Sequence, residues 1–228
     1  MPTILQLETA TPVCSVALSI NGKTVALKEE TAQNIHASKL TLFINDVMEQ
    51  AGIKFSDLDA IAVSKGPGSY TGLRIGVSTA KGLCFALDKP LIGINTLSMI
   101  AAGFLAEQPD YKGLICPMID ARRMEVFTAI FDYNLMEVEA TNAKIIDDSS
   151  FLALLDTYEM AFIGNGAEKC SSTIQHKNAK FLTTNYNSAS NMTLLANVAF
   201  TSKNFEDVAY FEPFYLKDFV FTVPKKKG

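Results

Sequence analysis

The 228-residue sequence has no tryptophan, two histidines and four cysteines. Cys14, Cys84, Cys116 and Cys170 stand far apart and form no Cys-x-x-Cys pair. That argues against both a zinc site and a disulfide framework, and it fits a reducing compartment. His36 and His176 make no HxxxH or HExxH spacing, and no GxSxG elbow is present. A zinc hydrolase and a serine triad therefore lack their parts. Long apolar runs are missing too: residues 91–106 are interrupted by Asn95, Thr96 and Ser98, short of the roughly 20 residues that cross a bilayer. The first residues, Met1-Pro2-Thr3-Ile4-Leu5, lack the cationic lead of a signal peptide. The expectation is a soluble, cytoplasmic protein without membrane contact. Charge is sparse, at 19% of residues, with 20 basic against 24 acidic side chains and a net charge of -4. No broad basic surface for gripping nucleic acid unaided is expected. The one dense cationic run, Lys225-Lys226-Lys227, reads as a solvated tail.

What the sequence does have is apolar material, 48% of residues, enough for a sizeable core. Strand patterns at residues 3–8, 13–20 and 23–29 open the chain, the last two joined by Asn21-Gly22, a pair suited to a two-residue hairpin turn. Leu40, Phe43, Ile44, Val47, Met48 and Ala51 then recur at helical spacing, closed by Gly52. A buried-type strand at 60–64, a helix at 71–87, a strand at 91–94 and a helix at 97–107 follow. From Gly113 the order approximately repeats: strands at 114–120, 125–132 and within 136–146, a helix at 149–158, a strand at 160–163, a turn at Gly164-Asn165-Gly166, and helices at 168–175 and 193–202. Three antiparallel strands followed by alternating helices and strands is the order of the ribonuclease-H-like fold. The expected class is α/β: two tandem ribonuclease-H-like lobes, the actin-like and sugar-kinase architecture, each a mixed sheet flanked by helices. Pro109, Asp110 and Gly113 break the pattern, which puts lobes at 1–110 and 111–228.

The densest motif runs Lys65-Gly66-Pro67-Gly68-Ser69-Tyr70-Thr71-Gly72-Leu73-Arg74-Ile75-Gly76 between a strand and a helix. Such a loop can aim backbone N–H groups at an anion, although it matches neither a Walker A loop nor GxGxxG. Ser69 or Thr71 can cap the helix. Gly72, Gly76 and Ala80 share one helical face; composition favours packing on the protein's own sheet, with a protein interface as the sharper alternative. Both first strands end in an acid, Glu8 and Asp120. They could face one cleft, but Ser64-Lys65 stands where a nuclease would place a further acid. Arg122 and Arg123 sit beside acids at a strand-to-strand turn, suited to local ion pairing or to anion recognition. No metal site and no cofactor are expected.

At these residues the sequence resembles a known family. Ile4-Leu5-Gln6-Leu7-Glu8-Thr9-Ala10-Thr11, the Gly66–Gly76 stretch, Asp120-Ala121-Arg122-Arg123, Gly164-Asn165-Gly166 and Pro213-Phe214-Tyr215-Leu216 fall as in the bacterial TsaB family, also called YeaZ. The match is specific over roughly the first 125 residues and looser beyond. Glu8 departs from it, since the family usually has Asp there. The resemblance implies a tandem actin-like fold and a non-catalytic role in making N6-threonylcarbamoyladenosine next to the tRNA anticodon. It implies pairing with the catalytic paralogue TsaD, joined by the ATPase TsaE, with tRNA met through the complex; because a helix face meant for a paralogue can pair with its own copy, a homodimer of the isolated chain is expected. It also implies pairing through helices at about 34–51 and 71–87. The expected interface residues are His36, Leu40, Phe43, Ile44, Val47, Gly72, Ile75, Gly76, Ala80 and Leu83. Glu8, Thr9, Thr11, Gly66, Gly68, Ser69, Asp120 and Arg122 are the expected cleft or anion-binding residues. A kinase or ATPase of the same fold, and a peptidase, are the alternatives.

Overall fold

The structure, a computed structural model, describes residues 2–217; the lysine run at 225–227 lies outside them. Strand β1 (Thr3–Glu8) pairs antiparallel with β2 (Val13–Ile20), and β2 with β3 (Lys23–Thr31). Asn21 and Gly22 both take positive φ, 52° and 71°, the backbone shape a tight hairpin between right-twisted strands requires. β1 also pairs parallel with β4 (Ala60–Gly66), and β4 with β5 (Leu91–Asn95). The sheet order is β3-β2-β1-β4-β5.

The second half builds the same sheet again. β6 (Leu114–Asp120), β7 (Glu125–Phe131) and β8 (Glu137–Ile145) are antiparallel neighbours. β9 (Met160–Ile163) and β10 (Ala179–Phe181) extend it in parallel, giving β10-β9-β6-β7-β8. In each half the first strand is central, flanked by the second and third on one side and the fourth and fifth on the other. Both sheets are mixed and flanked by helices, as the element order predicts.

The helices are less even. α1 (His36–Ala51), α2 (Tyr70–Leu87) and α3 (Thr96–Glu107) match the apolar periodicity closely. The helix expected at 149–158 shrinks to α4 (Leu152–Leu155). Asp147 accepts hydrogen bonds from the Ser149 N–H and the Ser150 hydroxyl, and Phe151 sits at φ 66°, so the chain turns before it can wind. The helix expected at 168–175 is a three-residue 3-10 turn, Glu168–Cys170. The three-residue β10 carries too little alternation to be read from sequence.

Among the described residues three apolar cores form. One lies between the first sheet and the inner faces of α1 and α2, among them Leu5, Leu7, Val16, Leu40, Val47 and Val77. Another, with Cys116, Phe162 and Leu155, covers the outer side of the second sheet. The third is shared: Ile4, Ile92, Leu97 and Phe104 pack in one cluster with Ile115, Phe131, Ile163 and Met192. Helices cross over to make it. α3 packs against β6 and β7, while α5 (Thr193–Thr201), from the far end of the chain, packs on β1, β3 and β5. The Thr193 hydroxyl donates to the Gln6 side-chain carbonyl at 2.9 Å, both groups being buried. No helix among the described residues is long and apolar enough to cross a membrane.

Candidate functional site

A cleft of about 520 Å³ opens between the two sheets. One wall is the loop after β1 (Ala10, Thr11, Pro12) with the start of α2 (Gly68 to Thr71). The facing wall is the end of β6 with Asp120, Arg122 and Asn165. The C-terminal residues 214–217 form a third side.

The first wall is built by the glycine motif, whose spacing answers the loop lying on it. A Cβ at Gly72 would stand 2.0 Å from the Thr9 carbonyl oxygen, one at Gly76 2.2 Å from the Thr9 hydroxyl, and one at Gly68 2.4 Å from the Ala10 carbonyl oxygen. The contact is hydrogen-bonded as well as close. The Thr9 hydroxyl donates to the Gly72 carbonyl at 2.8 Å, and the Ser69 N–H donates to the Ala10 carbonyl at 2.7 Å. Ser69 is the N-cap of α2, its hydroxyl accepting from the Gly72 N–H at 3.3 Å. Gly66, at φ 113°, leaves room for the Phe214 carbonyl oxygen, which a Cβ would meet at 2.7 Å.

The two strand-end acids are not equivalent. Glu8 is wholly buried. Its Oε1 accepts from the Ala10 N–H at 2.6 Å, and Oε2 has no hydrogen-bond partner. Burial pushes its carboxyl from 4.5 to about 7, outweighing hydrogen bonds from Ala10 and Ser64 that pull the other way. Asp120 is exposed and lines the cleft. Its partial burial would raise the carboxyl, but the Lys169 ammonium, the Arg122 N–H at 2.9 Å and the nearby positive charges bring it net below its ordinary value. Lys169 also donates to the carbonyls of Arg123 and Glu125, at 2.7 and 2.8 Å, bracing a turn in which Arg122 and Arg123 both hold positive φ. Asn165 accepts from the Asp120 N–H at 3.0 Å, which ties the Gly164-Asn165-Gly166 turn to the end of β6.

The expected cleft set therefore divides. Thr11, Gly68, Ser69, Asp120 and Arg122 line the cleft. Glu8, Thr9 and Gly66 do not: the first two are sealed beneath the loop they belong to, and Gly66 is covered by the C-terminal segment. The notion that both acids face one cleft is corrected accordingly. Among the described residues no three His, Cys, Asp or Glu side chains gather as a metal would need.

The expected interface set turns mostly inward in the lone chain. His36, Leu40, Phe43, Ile44, Val47, Gly72, Gly76 and Ala80 are all buried within the first lobe. His36 Nε2 lies 2.9 Å from the Thr11 carbonyl and 3.2 Å from that of Val13. The regular apolar spacing that reveals a helix marks the face turned to its own sheet. Ile75 and Leu83 are half-buried. The outward face instead carries Phe85, 86% exposed, on α2 and Leu42, 55% exposed, on α1. Sequence reasoning passed over both because each stands off the periodic stripe. It also missed residues 214–217 as a wall of the cleft, although the Pro213-Phe214-Tyr215-Leu216 run was visible.

Two such lobes around a shared cleft define the actin-like and sugar-kinase class of folds. A family model described as TsaD, tRNA N6-adenosine threonylcarbamoyltransferase, matches residues 27–225. The chain is 37% identical over 126 residues to the tRNA threonylcarbamoyladenosine biosynthesis protein TsaB of Haemophilus influenzae, covering 55% of this chain and 52% of that one. To TsaB of Bacillus subtilis it is 34% identical over 158 residues, 69% of this chain and 65% of the relative. The solved structure of YeaZ from Pseudomonas aeruginosa superposes with a TM-score of 0.84 at 27% identity, covering 95% of this chain and all of that one. The chain belongs to this family, in its TsaB, or YeaZ, branch. In sequence it aligns with about half the length of the Haemophilus relative.

Proposed function

We propose that this chain is a non-catalytic subunit of the cytoplasmic assembly that forms N6-threonylcarbamoyladenosine next to the anticodon of tRNA. In this reading it binds and supports the paralogue TsaD, with the ATPase TsaE as a further partner. The similarity to curated TsaB proteins carries the reading. The shape of the first lobe supports it: α1 and α2 lie side by side on one face of the sheet, their inner sides sealed, with Phe85 and Leu42 turned outward. An aromatic side chain 86% exposed on a regular helix is the kind of anchor that protein interfaces bury. The docking surface proposed is thus the outward face of α1 and α2, with Ile75 and Leu83 at its edge. A net charge of -4 fits tRNA contact made through partners rather than by this chain alone. The cleft residues Thr11, Gly68, Ser69, Asp120 and Arg122 are proposed as its anion-facing wall, and residues 1–110 and 111–228 as the two lobes.

The test is size-exclusion chromatography with light scattering on this chain, alone and mixed with TsaD from the same organism. A homodimer that gives way to a 1:1 complex supports the reading, and Phe85→Asp should weaken both species. A chain that stays apart from TsaD, with TsaE and ATP also present, overturns it and directs attention to an activity in the cleft. Calorimetric titration with ATP and magnesium separates the kinase alternative, which needs nucleotide binding by the isolated chain.

A further inference from the structure

The C-terminal segment after α5 does two different things along its length. Its first part is anchored to the first lobe. The Glu206 N–H donates to the Leu91 carbonyl at 2.9 Å, adding a one-residue antiparallel bridge to the edge of β5. The Glu206 carboxylate meets Lys65 Nζ at 3.3 Å, and Lys81 Nζ donates to the carbonyls of Ala209 and Phe211 at 3.1 and 2.9 Å. Phe211 packs against the first lobe's core. Gly93 is a glycine where this part crosses β5: a Cβ there would stand 2.6 Å from the Glu206 carboxylate and 3.0 Å from the Phe211 ring.

After Glu212-Pro213 the segment leaves that lobe's edge and enters the cleft. The Phe214 N–H donates to the Lys65 carbonyl at 2.7 Å. The Tyr215 ring lies 4.8 Å from that of Tyr70, in the first turn of α2. Leu216 packs on the core shared by both lobes, to which Ile119 and Phe127 of the cleft belong. The Lys217 ammonium pairs with Glu125, on β7 of the second lobe. Four consecutive residues thus touch β4, α2, the shared core and β7.

We propose that residues 213–217 are a lid on the cleft between the lobes, hinged at Glu212-Pro213 and shut by these contacts. Among the described residues the lid is held by the Phe214 backbone hydrogen bond, the ring pair of Tyr215 with Tyr70, the Leu216 contact and Lys217, which pairs with Glu125 and lies 5.8 Å from the Phe127 ring centre. Such a set opens locally without unfolding the lobes, because neither sheet depends on it. The anchored part keeps the hinge in place while the lid moves. Ser69, Asp120 and Arg122 are exposed with the segment in place, whereas Ile119 and Phe127 are buried beside Leu216. The segment therefore sets access to the apolar floor of the cleft, and a ligand reaching that floor must displace Leu216. The lid is independent of the partner-subunit reading and stands or falls on the cleft alone.

Thiol labelling of the full chain tests it. The four native cysteines are at most 2% exposed, so a single cysteine introduced as Ile119→Cys reports on the cleft. Labelling by N-ethylmaleimide is followed with the segment intact and with Tyr215→Ala and Leu216→Ala added. We expect the rate to rise about ten-fold or more on adding the two substitutions, while the native thiols and the melting temperature stay unchanged. Glu125→Gln alone should give a smaller rise of the same kind. A rate unchanged by the lid substitutions overturns the proposal, as does a rise shared by Cys116, which would report global unfolding. If Ile119→Cys fails to fold, Ala121→Cys in the same cleft takes its place, with the same outcomes.

Discussion

Glu8 and Asp120 hold the same position in two copies of one topology, the last residue of the central strand. Their electrostatics are opposite. Glu8 is dry, and its carboxyl is pushed up to about 7 by burial. Asp120 is wet, and Lys169 and the Arg122 N–H hold it below its ordinary value. What differs is the chain that follows. After Glu8 the loop folds down onto the glycine face of α2 and closes over the acid. After Asp120 the chain turns outward through two residues of positive φ and leaves the acid in the cleft. The helices differ in the same sense. After its third strand the first half winds α1 and α2, of 16 and 18 residues, where the corresponding stretches of the second half hold the four-residue α4 and a 3-10 turn of three. Repeating a sheet repeats the placement of a residue, and the cover laid over that residue decides its chemistry.

The contrast breaks most strongly at the loop that covers Glu8. In a helix interior Gly→Ala ordinarily stabilises by up to about 1 kcal/mol. At Gly72, where a Cβ would lie 2.0 Å from a backbone oxygen, Gly72→Ala should instead cost on the order of 3 kcal/mol by forcing the loop off the helix. Gly82→Ala is the control on the same helix. Nothing stands within 4 Å of its Cβ position, and it should show the ordinary gain. Urea denaturation of the two variants reads the difference, and a stable Gly72→Ala protein would show that the loop is not a close cover.

Next comes the acid itself. Since the Glu8 pKa rises on folding, the folded state holds the extra proton between about 4.5 and 7. Its contribution to stability is most favourable below that window, falls as pH rises through it and levels off above. The loss across the window is on the order of 3 kcal/mol. Glu8→Gln should remove that slope, whatever constant offset the amide adds, and chemical denaturation at a series of pH values from about 4 to 8 would show it.

Asp120→Asn should act weakly and with the opposite sign. A depressed pKa contributes stability above the ordinary carboxylate range and loses it as pH falls through the folded value. The pair with Lys169 is partly exposed, so the substitution should cost less than about 1 kcal/mol near neutrality and nothing once the carboxyl is protonated. Equal and parallel pH profiles for the two variants would erase the contrast between the lobes.

The smallest effect on stability belongs to Phe85→Asp. An 86% exposed ring contributes little to folding, and the melting temperature should move by no more than about 1 °C. Its effect should appear only in association, seen as a shift in mass by light scattering.

Much of this was legible from residues alone. Neighbours within a few positions determine a hairpin at Asn21-Gly22, the long α1 and α2, and a strand that ends in an acid, because local φ preferences and apolar spacing act over that range. The repeated element order was enough to place the chain among two-lobed folds before any coordinate. The cover over Glu8, the face that α1 and α2 turn outward, the exchange of α3 and α5 between sheets and the segment lying in the cleft were decided elsewhere. Thr193 meets Gln6 across 187 positions, and Lys217 meets Glu125 across 92. Contacts at such separations leave no periodic trace in the sequence. A buried stripe shows that a helix packs, and only the folded chain decides on what. By spacing the first lobe's glycines suit packing inside the lobe, and by family resemblance a surface for another protein; the loop from β1 lies on them, and that cover keeps the acid beneath it dry.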